Sequence, residues 1–126
     1  MIDVNQIIEV QKNLINKFGG SHGTRDMNGL LSAINRPYQT FDNIDLYPTS
    51  IEKAAAITQS LVINHPFIDG NKRIGYYMCI YFIALENLQL NCTKESKRDF
   101  IIAIAEGKLD FDQIVQWLKD NTEVIH

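Results

Sequence analysis

The chain has 126 residues, a length that can bury roughly two-thirds of the unfolded surface in one domain without cross-links. Its formal charge of −3 argues against broad nucleic-acid binding, which calls for a basic surplus, but leaves room for a local basic pocket. The first residues lack the basic flank and apolar core of a signal peptide, and the longest mostly apolar stretch, residues 74–85, is too short to span a bilayer. A cytoplasmic, non-membrane protein with a single domain over 1–126 is therefore expected. Cys79 and Cys92 form no CxxC pair and read as reduced thiols used as small core residues.

Taken in chain order, helical signals dominate. Asp3 can cap a first helix whose apolar residues Ile7, Ile8, Leu14, Ile15 and Phe18 fall near a 3.6 period, and Gly19-Gly20 stops it. Asp26 opens a short helix with Leu30, Leu31 and Ile34, closed at Arg36-Pro37. Residues 37–48 differ: Tyr38, Thr40, Phe41, Ile44 and Tyr47 favour extended structure around the turn pair Asp42-Asn43. They read either as a short β-hairpin flap or as an irregular surface loop. Thr49 and Glu52 form a capping-box pattern for a helix that must end near His65, because Pro66 disfavours helical geometry before it. Asp69 or Gly70 then starts a helix that runs through Leu85 and is apolar on nearly every side. Such a helix, too short for a membrane, is the buried centre of a bundle, with Tyr76, Tyr77 and Tyr81 as core aromatics. Thr93 opens another helix stopped at Gly107, and Asp110 with Gln113 opens the last. The expected class is all-α, a compact helical bundle with at most one small hairpin.

The most informative stretch is His65-Pro66-Phe67-Ile68-Asp69-Gly70-Asn71-Lys72-Arg73. No packing requirement asks for a base, an apolar anchor, a carboxylate, a glycine, an amide and two cations together; handling a nucleoside triphosphate does. Gly70, Lys72 and Arg73 lie at a helix start, where unpaired N–H groups and the dipole favour an anion. The helix end supplies only about 0.3–2 kcal/mol towards an anion, so the two cations should dominate phosphate affinity. Asp69 can hold Mg²⁺ against phosphates, or simply cap its helix. His65 can take a proton from an attacking hydroxyl, or cap the preceding helix. Asn71 can bind phosphate or hold the loop by local hydrogen bonds. His22 and His126 have no such context and read as solvated.

These nine residues resemble the signature of the Fic/Doc superfamily. The similarity extends along the chain through Phe18-Gly19-Gly20, Arg25-Asp26, Glu52-Lys53-Ala54-Ala55 and Ala105-Glu106-Gly107-Lys108-Leu109, which look like the death-on-curing (Doc) branch. Fic adenylyltransferases carry Gly-Asn-Gly-Arg with a second arginine three residues on. Here Lys72 replaces that second glycine and Tyr76 stands in place of that arginine. In the Doc branch this goes with a reversed nucleotide and transfer of the γ-phosphate.

The resemblance therefore implies a toxin of a toxin–antitoxin system, a protein kinase using ATP and Mg²⁺ on a hydroxyl of a translation factor, elongation factor Tu being the family's known target. Fic-type transfer of AMP to a protein hydroxyl is the alternative. It implies His65 as general base and Asp69 as the Mg²⁺ ligand. Gly70, Asn71, Lys72 and Arg73 would bind the phosphates, and Tyr38, Thr40 and Phe41 would lie on a target-docking flap. Lys17 and Arg25 would border the site. The chain lacks the Ser/Thr-x-x-x-Glu inhibitory sequence that restrains many Fic proteins. Restraint would then come from a separate antitoxin covering the ATP site.

Overall fold

A computed structural model describes residues 2–126. Among the described residues six helices carry the fold: α1 Val4–Phe18, α2 Met27–Asn35, α3 Ser50–Asn64, α4 Asn71–Ala84, α5 Lys94–Ala105 and α6 Phe111–Asp120. A turn of 3₁₀ helix, Arg36–Tyr38, extends α2 past the expected stop, with Pro37 seated in the first turn where its missing N–H is harmless. The segment after it is the hairpin: β1 Thr40–Phe41 pairs antiparallel with β2 Ile44–Asp45. Asp42 and Asn43 both take positive φ, 51° and 63°, as a tight two-residue hairpin turn demands.

The starts of the helices follow from their caps. Asp3, Asp26, Thr49, Thr93 and Asp110 each accept a backbone N–H from the first turn of their helix. Asp3 with Gln6 and Asp110 with Gln113 complete reciprocal capping boxes. At Thr49 only half the expected box forms. Glu52 takes the Thr49 hydroxyl instead, at 2.9 Å, while Glu86 reaches across to the backbone N–H of Ser50 at 2.8 Å.

α3 and α4 form the centre. α3 touches α2, α4, α5 and α6, and α4 touches α1, α3 and α5. They approach closely because Gly75 has no side chain. A Cβ there would stand 2.6 Å from Val62 Cγ2. Ala54, Ala55 and Ala56 are fully buried on α3, and Ile74, Phe82 and Ile83 on α4. Burying each of the larger side chains contributes about 1.5–3 kcal/mol. α4 is not buried all round, however. Tyr77 and Tyr81 are 47% and 43% exposed, so neither is a core aromatic, and Tyr76 is half-buried. Aromatic rings pack well with one face wet, which hydropathy along a helix cannot reveal.

One element was not anticipated. β3 Leu88–Leu90 pairs antiparallel with β4 Thr122–Val124, tying the C-terminus to the end of α4. Asn87, at φ 58°, makes the reversal into β3. Cys79 is buried, Cys92 is partly buried, and both thiols are free. No helix among the described residues is long and apolar enough to cross a membrane.

Candidate active site

The nine-residue motif links α3 to α4, and the way each helix ends prepares it. His65 follows the last residue of α3 in a left-handed conformation, φ 48° and ψ 54°. Pro66 disfavours right-handed geometry at His65, and left-handed backbone in a non-glycine residue costs about 1–2 kcal/mol. Arg25 holds that turn. Its guanidinium donates to the carbonyls of His65 and Asn64, and its backbone N–H donates to Pro66 O at 2.8 Å. The exposed imidazole of His65 is left free of these contacts.

The loop before α2 is laced to the motif. Ile68 N–H donates to Gly23 O at 3.0 Å, and Thr24 bridges Phe67. Phe67 is 1% exposed and plugs the core, as its apolar character suggested. Asp69 is held from α1 and from this loop. Gln11, itself buried, donates to the Asp69 carbonyl at 3.2 Å. Ser21 N–H donates to Asp69 Oδ2 at 2.8 Å. Gly20 lies against Asp69 at a φ of 113°, and a Cβ there would come 3.3 Å from Asp69 Cβ.

Asp69 does not cap α4. The N-cap is Gly70 at φ 82°, which has no side chain to offer. The N–H groups of Asn71, Lys72 and Arg73 therefore have no capping acceptor, whereas each of the other five helices receives a side chain. Lys72 and Arg73 are exposed beside these amides. The Arg73 guanidinium lies 4.0 Å from the centroid of the Phe18 ring, a stacking partner at the end of α1. Lys17 Nζ lies 5.2 Å from the same ring.

Asn71 has another role. Its Oδ1 accepts Phe67 N–H at 2.9 Å and its Nδ2 donates to Phe67 O at 3.0 Å. Both ends of the amide are thus committed to the loop, and the residue is 8% exposed. The Asn71 side chain braces the motif, and only its backbone N–H is free for an anion.

A cleft of about 680 Å³ opens at this point, in the size range of small-molecule sites. His65, Asp69, Gly70, Asn71, Lys72 and Arg73 all line it, together with Ile68 and Tyr76. Lys97, Arg98, Ile101 and Ile102 of α5 complete the lining. No sequence signal marked these α5 residues, because they follow the motif by more than twenty positions. The hairpin residues do not line the cleft. Tyr38 turns inward, 6.1 Å from Phe82 with Lys53 Nζ over its ring, and burial followed by the neighbouring Tyr81 pushes its hydroxyl pKa up. Thr40 and Phe41 face solvent, Phe41 being 71% exposed and its cross-strand partner Ile44 70%.

Among the described residues no three metal-ligating side chains cluster. Mg²⁺ at nucleotide sites is commonly held by one or two carboxylates together with substrate phosphates. Asp69 fits that demand: Ser21 fixes one carboxylate oxygen and leaves Oδ1 for a cation, beside the uncapped amides of α4.

Comparison with known proteins identifies the family. The model of the Fic/DOC family matches residues 1–83, from the N-terminus through most of α4. Toxin Doc of Mycolicibacterium smegmatis is 36% identical over 99 residues, covering 77% of this chain and 76% of that protein. The chain belongs to the Fic/DOC family.

Proposed function

We propose that the protein is a Doc-like toxin of a toxin–antitoxin system, a kinase that phosphorylates a hydroxyl of a translation factor and thereby blocks translation. The similarity to Toxin Doc supports the toxin reading. Resemblance to the Doc branch points to elongation factor Tu as the target. The observation that carries the chemistry is the start of α4. Its amides are left uncapped at Gly70, two cations flank them, and a free imidazole and a half-free carboxylate line the same cleft.

In this reading the amides of Asn71, Lys72 and Arg73 and the Lys72 and Arg73 side chains bind the phosphates of ATP. His65 accepts the proton of the target hydroxyl, which typically contributes about 10²–10⁴-fold to the rate. The hydroxyl oxygen then bonds to the γ-phosphorus as the bond from that phosphorus to the β,γ-bridging oxygen breaks, releasing ADP. The charge that moves onto the leaving diphosphate faces Lys72 and Arg73, already in place. Asp69 would hold Mg²⁺, which when bound neutralises phosphate charge. The hairpin offers the target an exposed strand edge, with Thr40 and Phe41 on β1. A partner antitoxin would silence the protein by covering the ATP cleft.

Lys72 and the missing second arginine favour γ-phosphate transfer. One observation favours adenylyl transfer instead: Lys97 Nζ lies 4.3 Å from the Tyr76 ring, returning a cation next to that position. The two separate when the protein is incubated with Mg²⁺, elongation factor Tu and either α-labelled or γ-labelled ATP. Phosphorylation labels the target from the γ position alone, and label passing only from the α position refutes it.

A further inference from the structure

The second wall of the cleft lies outside the motif and beyond residue 83, where the family match ends. α5 sorts its charges by face. Lys97 and Arg98, one turn before Ile101 and Ile102, line the cleft, while Glu95 and Asp99 line a separate depression beside Phe100 and Trp117. Lys72, Arg73, Lys97 and Arg98 thus place four positive charges around one cleft that holds a single carboxylate, Asp69. The chain as a whole carries −3.

None of these four cations forms an ion pair among the described residues, where the one pair found joins Lys108 to Glu106. Lys97 is half-buried and rests on the half-buried ring of Tyr76. That contact fixes its ammonium at the edge of the cleft but supplies no counter-charge. Unpaired like charges gathered in one concavity repel each other until an anion arrives. The motif alone would serve a phosphate group with Lys72, Arg73 and the α4 amides. The extra pair calls for a ligand whose negative charge extends from the start of α4 across to α5.

We propose that Lys97 and Arg98 bind the phosphate chain of the nucleotide and make the site prefer triphosphate over monophosphate. The assignment rests on the nucleotide reading of the cleft and holds for either direction of transfer. Lys97 and Arg98 are binding and specificity residues here, apart from the chemistry at His65.

The test is the affinity of the intact protein for ATP, ADP and AMP with Mg²⁺, by titration calorimetry, in the wild type and in Lys97→Met, Arg98→Ala and the double variant. Methionine keeps an apolar stem over Tyr76, so loss of packing is not confused with loss of charge. Each single change should weaken ATP by about tenfold, the loss of one charge-assisted contact, and AMP by less than about threefold. Lys97→Arg, which keeps the charge, should retain the preference. Equal weakening of ATP and AMP, or unchanged ATP binding in the double variant, overturns the assignment alone. A wild type that binds no ATP overturns it together with the nucleotide reading.

Discussion

Replacing Asn71 with alanine separates a phosphate ligand from a loop brace. The side chain makes two hydrogen bonds, of 2.9 and 3.0 Å, both to the backbone of Phe67. Phe67 is 1% exposed, so alanine leaves a buried N–H and a buried carbonyl without partners. Each orphaned group costs about 1–3 kcal/mol, and the pair therefore about 2–6 kcal/mol. That is a large part of the 5–15 kcal/mol by which ordinary domains are stable. For a chain of this length it should lower Tm by roughly 10–20 °C. Urea unfolding followed by circular dichroism gives the midpoint and slope, and ATP titration well below Tm gives the affinity. The expected outcome is a large fall in midpoint at constant slope, with ATP affinity falling as the motif loosens. An unchanged midpoint combined with a tenfold loss of ATP affinity would refute the bracing role and return Asn71 to the phosphates.

Four other outcomes follow from the same contacts. Arg25→Ala should lower transfer rate more than ATP affinity, because Arg25 grips the carbonyls of His65 and Asn64 and touches no phosphate-binding group; a steady-state split into kcat and KM reads this. Gly75→Ala should destabilise by about 1–3 kcal/mol in urea unfolding, since its Cβ would meet Val62 Cγ2 at 2.6 Å. Phe18→Ala should weaken ATP about two- to fivefold by releasing the stacked Arg73, measured by the same titration. Burial pushes the Cys79 thiol up to about 12 from 9.0. The unfolded chain therefore loses that proton first, and stability should fall as pH rises from about 9 towards 12, a slope that Cys79→Ala lessens in thermal melts.

Much of this arrangement was legible because local chemistry sets it. Asp3, Asp26, Thr49, Thr93 and Asp110 mark helix starts whatever the helices pack against, since a short acceptor beside unpaired amides is a local bond. The turn at Asp42-Asn43 is local in the same sense. Asp69 shows the limit. Its residue type suits a cap, yet its carboxylate turns to Ser21, forty-eight positions away, and Gly70 takes the cap position. Asn71 likewise had two roles open to it, and only the path of the loop around Phe67 chose between them.

What the sequence hid was tertiary. Leu88–Leu90 is too short to announce a strand, and its partner Thr122–Val124 is the C-terminal tail. Tyr77 and Tyr81 count as apolar along α4 but face water, because one side of that helix has no neighbour over it. Lys97 and Arg98 carry no local signal, and only the packing of α5 beside α4 brings them to the cleft. The motif announced the chemistry, and the fold supplied the rest of the cleft.

The central claim is that the start of α4 directs phosphoryl transfer, with His65 as base. Intact-mass spectrometry of elongation factor Tu after incubation with ATP, Mg²⁺ and the protein tests it most directly, with His65→Ala in parallel. A gain of one phosphoryl group, absent with His65→Ala, is the predicted result. A gain of one adenylyl group, or a phosphoryl gain that survives the loss of His65, would contradict it.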